Sequence, residues 1–318
     1  MNTPTVADRV AEYLAYRRAL GYQLHKEGQR LRSFARFADE AGHQGPLTTE
    51  IALRWARLPG QAARLYQARR LEAVRTLARY LAAREPGTEV PPRDLLGPTH
   101  VRRPAFIYSE ANIAALIKAA QALGPADSLR PATYATLIGL LACTGLRIGE
   151  ALALRADDIN WSTAVLTVRQ SKFHKSRLVP LHRSAAEPLR SYAAARDRRH
   201  PLLRDSTFFV SAAGRPLQYA AVRQTFHVLL RHAMPGVVPM GRVRPRWHDL
   251  RHTFAVRRLL AWYRDGTDIH RAIDLLCAYL GHTKLRHTYW YLTGVPELFA
   301  LAAERFERFA ARLPGESQ

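Results

Sequence analysis

Cysteine is almost missing from these 318 residues: only Cys143 and Cys277 occur, far apart and without a CxxC spacing. That excludes a disulfide framework and a cysteine-based zinc site. Lysine is nearly as rare, with five (Lys26, Lys118, Lys172, Lys175 and Lys284) among 48 basic residues. In a chain that defaults to arginine, a lysine marks a place where a titratable ammonium is of use. Acidic residues number 26, and none cluster with the spacing of a two-metal nuclease. The longest nearly apolar run, 134–146, contains Thr and Gly and is too short to span a bilayer. The opening segment MNTPTVADRV lacks the basic and apolar regions of a secretory signal, so the expectation is a cytoplasmic protein without a membrane partner.

What is present is a formal net charge of +22 on a chain that is 47% hydrophobic and 9% aromatic. Such a chain buries a real core, which excludes a disordered basic tail. Self-repulsion of that size calls for a polyanionic partner, and double-stranded DNA is the expectation.

The first 85 residues read as helices. Val6, Val10 and Leu14 repeat at helical spacing, and Leu31, Phe34 and Ala38 form a second stripe ending at Gly42. Thr48 or Thr49 caps a third helix with Ile51, Trp55 and Leu58, and Leu71, Val74, Ala78 and Leu81 mark a fourth. Residues 86–104 hold five prolines, lose the period and read as a linker. Both halves are basic, +8 up to residue 104 and +14 beyond it. Two basic domains joined this way suit a clamp on duplex phosphates.

Beyond Phe106 the pattern is mixed. Ser109 caps a helix, and a long apolar helix runs through 137–142. Ala164, Leu166 and Val168 would share one face of a strand, 170–176 turns, and 177–181 returns as a second strand. A brief strand is expected at 208–210, and helices start near Ser184, Gln218, Trp247, Asp268 and Pro296. The class is mostly α, α+β: a helical N-terminal domain over 1–85 and a mixed α/β domain with a small antiparallel sheet over 105–318.

Several polar groups in the second domain could surround one phosphate. Arg147 follows a tight Thr-Gly turn at a helix start, where its guanidinium can grip non-bridging oxygens in bidentate fashion. His248 and Arg251 are one turn apart and share a helix face, while His252 points elsewhere and reads as structural. Lys172, at the tip of the hairpin, can protonate a departing oxygen, which an arginine cannot; Lys175 is its rival, or a plain phosphate contact beside Arg177. Tyr289 and Tyr291 both offer a hydroxyl.

Four patterns occur in order: Thr144-Gly-Leu-Arg-Ile-Gly-Glu150, Ser171-Lys-Phe-His-Lys-Ser-Arg177, His248-Asp-Leu-Arg-His252, and Leu280-Gly-His282 with Tyr291 nine residues on. This ordered set resembles the tyrosine recombinase (phage integrase) family across the second domain. The helical first domain looks like the family's core-binding, SAM-like domain. Ser171 and Phe173 stand where the family has glycines. The long stretch between Arg251 and His282 and the segment after Tyr289 are most similar to recombinases of transposons and integrated elements.

The resemblance implies a site-specific recombinase that cuts DNA through a 3′-phosphotyrosyl intermediate, with no metal, ATP or other cofactor. It assigns Arg147, Lys172, His248, Arg251, His282 and Tyr291 to catalysis, and Glu150 to orienting them. His282 would bind a phosphate oxygen; His248 would do likewise or accept the tyrosine proton. A homotetramer on DNA is implied, possible partners being other recombinases of the same element. Leu298, Leu301, Ala302, Phe306 and Phe309 form a C-terminal helical stripe that either folds back or docks on a neighbouring protomer. Two other readings stay open: a catalytically inactive DNA-binding accessory protein, and a type IB topoisomerase-like enzyme.

Overall fold

Thr5 starts the first helix with a reciprocal cap. Its hydroxyl accepts from the Asp8 amide at 3.1 Å, and the Asp8 carboxylate accepts from the Thr5 amide at 3.0 Å. In the computed structural model of the chain this helix, α1, spans Val6–Ala19. The described residues are 4–58, 60, 62–100, 104–169, 176–203, 207–237, 244–282, 288, 303–304 and 307. They divide between two compact units, Met1–Arg103 and Pro104–Gln318.

In the first unit α1 is followed by α2 (His25–Glu40), α3 (Thr49–Arg57) and α4 (Arg64–Ala82). Asp39 of α2 accepts from the Val6 and Ala7 amides at 2.9 and 3.2 Å, putting a carboxylate at the positive end of α1. The core gathers Phe34, Trp55 and Leu77, with Phe34 and Trp55 edge to face at 5.4 Å. Buried Arg70 lies over Trp55 and donates to its carbonyl at 2.7 Å. The proline-rich segment expected as a linker is tied to this unit. Glu89 accepts from the Thr49 amide at 2.7 Å, while Arg75 and Arg69 donate to the carbonyls of Pro91 and Thr99.

The second unit runs α5 (Glu110–Gln121), α6 (Arg130–Thr144), α7 (Ile148–Leu152), a 3₁₀ turn (Ala156–Asp158), β1 (Ile159–Asn160), β2 (Val165–Val168) and β3 (Arg177–Pro180). It continues with α8 (Arg183–Arg199), α9 (Tyr219–Ala233), α10 (Trp247–Arg264) and α11 (Ile269–Leu280). The sheet is antiparallel in the order β1-β2-β3, with Leu166 opposite Val179 on the buried side. The fold is thus mostly α with a small sheet. Apolar α6 supplies Leu137, Ile138 and Leu141 to the core, and packs against α5, α8 and α10. Among the described residues no helix is long and apolar enough to cross a membrane.

Two local expectations change. Ala164 is not on the strand: it turns with φ 52°, and its carbonyl accepts from the Leu181 amide at 2.7 Å. The strand expected at 208–210 is reduced to isolated bridges, Arg155 with Thr207 and Val210 with Pro216. Phe208, Phe209 and Val210 are all fully buried, so the segment has no solvent face to alternate with a core face. β1 gave no sequence signal, because two residues are too few for a period. The helix expected from Pro296, with its stripe from Leu298 to Phe309, lies outside the described residues.

Gly145 closes α6 in the left-handed region (φ 62°), and a Cβ there would meet Phe254 Cδ1 at 2.6 Å. Gly266 has a similar φ of 72° but open space around it. Gly145→Ala is expected to cost about 3 kcal/mol, backbone strain plus overpacking. Gly266→Ala is expected to cost only about 1 kcal/mol, from the backbone alone. Urea denaturation midpoints of the two variants would check this; equal losses would contradict it.

Candidate active site

Two helices of the second unit end close to one arginine. Gly145 and Gly281 (φ 66°) cap α6 and α11, and Arg251 of α10 joins the two ends. Its Nη1 donates to the Gly145 carbonyl at 2.8 Å and its Nη2 to the Leu280 carbonyl at 2.6 Å. The side chain is 1% exposed. The negative ends of two helices stabilise this buried cation. Arg147, just before α7, reaches the same place, donating from Nη2 to the Gly281 carbonyl at 3.3 Å.

Glu150 fixes Arg147 from the other side. Its carboxylate accepts from Arg147 Nη1 at 2.6 Å and from the Arg147 amide at 3.0 Å. It also accepts both terminal nitrogens of Arg177, at 3.1 and 2.7 Å. Burial pushes the Glu150 pKa up, but bonds and charge from Arg177 and then Arg147 outweigh it and bring the value to about 2. Arg177, expected against DNA, is committed elsewhere. Its side chain is 11% exposed, grips Glu150 in bidentate fashion and donates from Nε to the Tyr279 carbonyl at 2.8 Å. It ties β3 to α7 and the end of α11, and sequence cannot tell such a tie from a phosphate contact.

His248 stands in the first turn of α10, open to solvent on one side. Crowding by protein on the other side, then the charges of Arg251, Arg246 and Arg147, hold its pKa down at about 4, with Glu150 opposing them. The imidazole is therefore neutral near pH 7. His252 packs edge to face on it, ring centroids 4.8 Å apart, and burial brings its pKa to about 3. Between them lies Asp249, to which the sequence reading gave no role. It is fully buried and closes the start of α10, accepting from the Arg246 amide and Nη2, both at 2.8 Å. Its signal was legible as an acid three residues after the N-cap.

His282 follows Gly281 in the helix cap, its amide donating to the Cys277 carbonyl at 2.9 Å. Its Nδ1 is 2.8 Å from the hydroxyl of buried Thr288, which orients the ring. Arg147, Glu150, Arg251 and His282 thus meet where α6, α7, α10 and α11 come together, with His248 adjacent. Two fixed guanidiniums and two histidines gathered in one place form a preorganised frame that can hold an anion. Lys172, Lys175, Tyr289 and Tyr291 lie outside the described residues.

The phage integrase family matches the chain over residues 108–295. A putative integrase/recombinase of Sinorhizobium fredii, y4rB, is 40% identical over 310 residues, covering 96% of this chain and 98% of its own. The tyrosine recombinase XerD of Vibrio cholerae is 30% identical over 229 residues, covering 71% of this chain and 69% of its own. The structure of the Tn1549 transposon integrase with transposon right end DNA superposes with a TM-score of 0.67 at 16% identity, covering 96% of this chain and 100% of that one. That likeness is one of fold.

Acid should weaken the second unit. Glu150, with its pKa lowered to about 2, contributes stability that is full above pH 4.5 and lost as pH falls toward 2. His248 and His252, with pKa values lowered to about 4 and 3, favour the folded state while neutral. Their contribution is full above the ordinary histidine value near 6.5 and declines below it. Urea denaturation is expected to show stability falling steadily from pH 7 to 4, with a shallower slope in His252→Asn. Glu150→Gln, which leaves two half-buried guanidiniums without their carboxylate, is expected to cost about 2–3 kcal/mol at pH 7. A loss under about 1 kcal/mol would mean the pair is solvated in a way these contacts exclude.

Proposed function

The chain belongs to the phage integrase family of tyrosine recombinases, and from that premise we propose that it cuts and rejoins DNA at specific sites for a mobile element, through a 3′-phosphotyrosyl bond to Tyr291. The observation that carries this reading is the array of Arg147, Arg251, His248 and His282 around the ends of α6 and α11.

In the first step the Tyr291 oxygen attacks phosphorus and the bond to the 5′ oxygen breaks. The phenol proton goes to His248, whose neutral imidazole suits an acceptor. Arg147 and Arg251 carry the charge that develops on the non-bridging oxygens, and His282 binds one of them. Lys172 gives its proton to the leaving 5′ oxygen. Glu150 holds Arg147 in place, and Lys175 contacts a flanking phosphate. The phosphotyrosyl linkage conserves the bond energy, so a 5′ hydroxyl of a second strand can displace Tyr291 without ATP. The guanidiniums supply the positive charge at the phosphate, so the scheme requires no metal.

The partner is double-stranded DNA. Residues 1–85, with the segment 86–100 packed on them, serve as the core-binding domain, and 105–318 as the catalytic domain. Four protomers act on two sites, with other recombinases of the element as further partners, in the cytoplasm.

Nicked duplexes from the protein's own genomic flanks, incubated in EDTA, are expected to give a denaturant-resistant adduct that maps to Tyr291 and is lost in Tyr291→Phe. An adduct on Tyr289 would move the nucleophile by two residues, and binding without any adduct would favour an accessory protein. Lys172→Ala is expected to slow cleavage by about 10²–10⁴-fold, and a sulfur leaving group at the bridging 5′ position, which needs little protonation, is expected to restore it. Failure of that rescue would remove Lys172 from the acid role.

A further inference from the structure

The first residues of the second unit, 104–108, run against the start of α10. The Tyr108 amide donates to Thr253 Oγ1 at 2.9 Å, and the Tyr108 phenol donates to the Arg246 carbonyl at 3.1 Å. Arg257 Nη2 donates to the Tyr108 carbonyl at 3.1 Å. The Phe106 and Tyr108 rings brace each other edge to face at 4.9 Å. Asp249 also takes the Arg246 amide, Nε and Nη2. All these contacts fall on the N-cap and first three turns of α10, the stretch that presents His248 and Arg251.

A helix start has unpaired amides and frays unless something closes it. Here the helix's own Asp249 closes it, through a carboxylate that is 0% exposed and whose pKa burial raises in spite of Arg246, and Tyr108 braces the same turn from outside through the Arg246 carbonyl and Thr253. Apolar packing would serve stability as well as a buried ion pair does. A directional brace gives what apolar packing does not, a fixed place and rotation for the first turn of the helix.

We propose that Asp249 and Tyr108 are positioning residues for strand cleavage, bracing the start of α10 so that His248 faces the scissile phosphate in register and the charge of Arg251 stays behind it. The proposal rests on the recombinase reading. Neither residue touches the DNA; each acts through the helix. A displacement of about 1 Å at reacting groups can cost about a hundredfold in rate.

Single-turnover adduct formation on saturating nicked duplex, DNA affinity, and thermal melting would be compared for the wild type, Asp249→Asn, Asp249→Glu and Tyr108→Phe. Asp249→Asn is expected to slow cleavage about ten- to a hundredfold while affinity stays within about twofold. Asp249→Glu, whose carboxylate still reaches the N-cap, is expected to recover part of the rate. Tyr108→Phe removes one hydroxyl from a packed ring and is expected to slow cleavage severalfold. The pH profile adds a readout that stability alone does not move. His248 is faced by Arg251, Arg246, Arg147, Glu150 and His252, and a loosened first turn exposes it to water. Its pKa should then rise toward 6.5, bringing an acid limb into the rate between pH 5 and 6.5. Wild-type rates in both Asp249→Asn and Tyr108→Phe would overturn the proposal, as would rate and affinity falling together in both. If Asp249→Asn does not fold, Tyr108→Phe decides alone. A wild type that binds but forms no adduct would overturn the recombinase reading instead.

Discussion

The guanidinium of Arg251, held between the carbonyl ends of α6 and α11, is the constraint on which the rest of the second unit depends. Its two terminal nitrogens fix the distance and angle between helices far apart in sequence. It does so only because Gly145 and Gly281 let both helices end in left-handed turns that present their last carbonyls. Arg147 uses the same device, reaching the Gly281 carbonyl while Glu150 restrains it. The frame for the phosphate is therefore built from backbone ends and arginines.

Glu150 completes this frame and extends it. One carboxylate serves Arg147 and Arg177, so the residue before α7 and the base of β3 share a single buried anchor. With two cations against one carboxylate the site stays positive, as binding a phosphodiester requires. Burial first, and then the charges of Arg251, Arg246 and Arg147, keep the neighbouring His248 neutral, with Glu150 opposing them.

The start of α10 is where these groups meet the chain that enters the unit. Asp249 is buried and accepts from Arg246, and Tyr108 spans the N-cap carbonyl and Thr253. Catalytic side chains near a helix end depend on the cap as much as on their own contacts.

By itself the sequence determined the class and the motif set. The helical stripes, the caps at Ser109 and Thr48 and the sheet face of Leu166 and Val168 follow from local periodicity and side-chain chemistry, which act over a few residues. The ordered patterns at 144–150, 248–252 and 280–282 were legible through resemblance to the family, which grouped Arg147, His248, Arg251 and His282 as an expectation. Tertiary structure alone decided what each arginine does. Arg177 and Arg147 look alike in sequence, yet one is consumed as a tie and the other stands in the frame, because Glu150 and the end of α11 arrive from other parts of the chain. It also decided that 208–210 is a buried run rather than a strand, that Ala164 is a turn, and that Tyr108 braces the start of α10. Those outcomes depend on partners distant in sequence, and local pattern carries no information about which distant carbonyl or amide will be near.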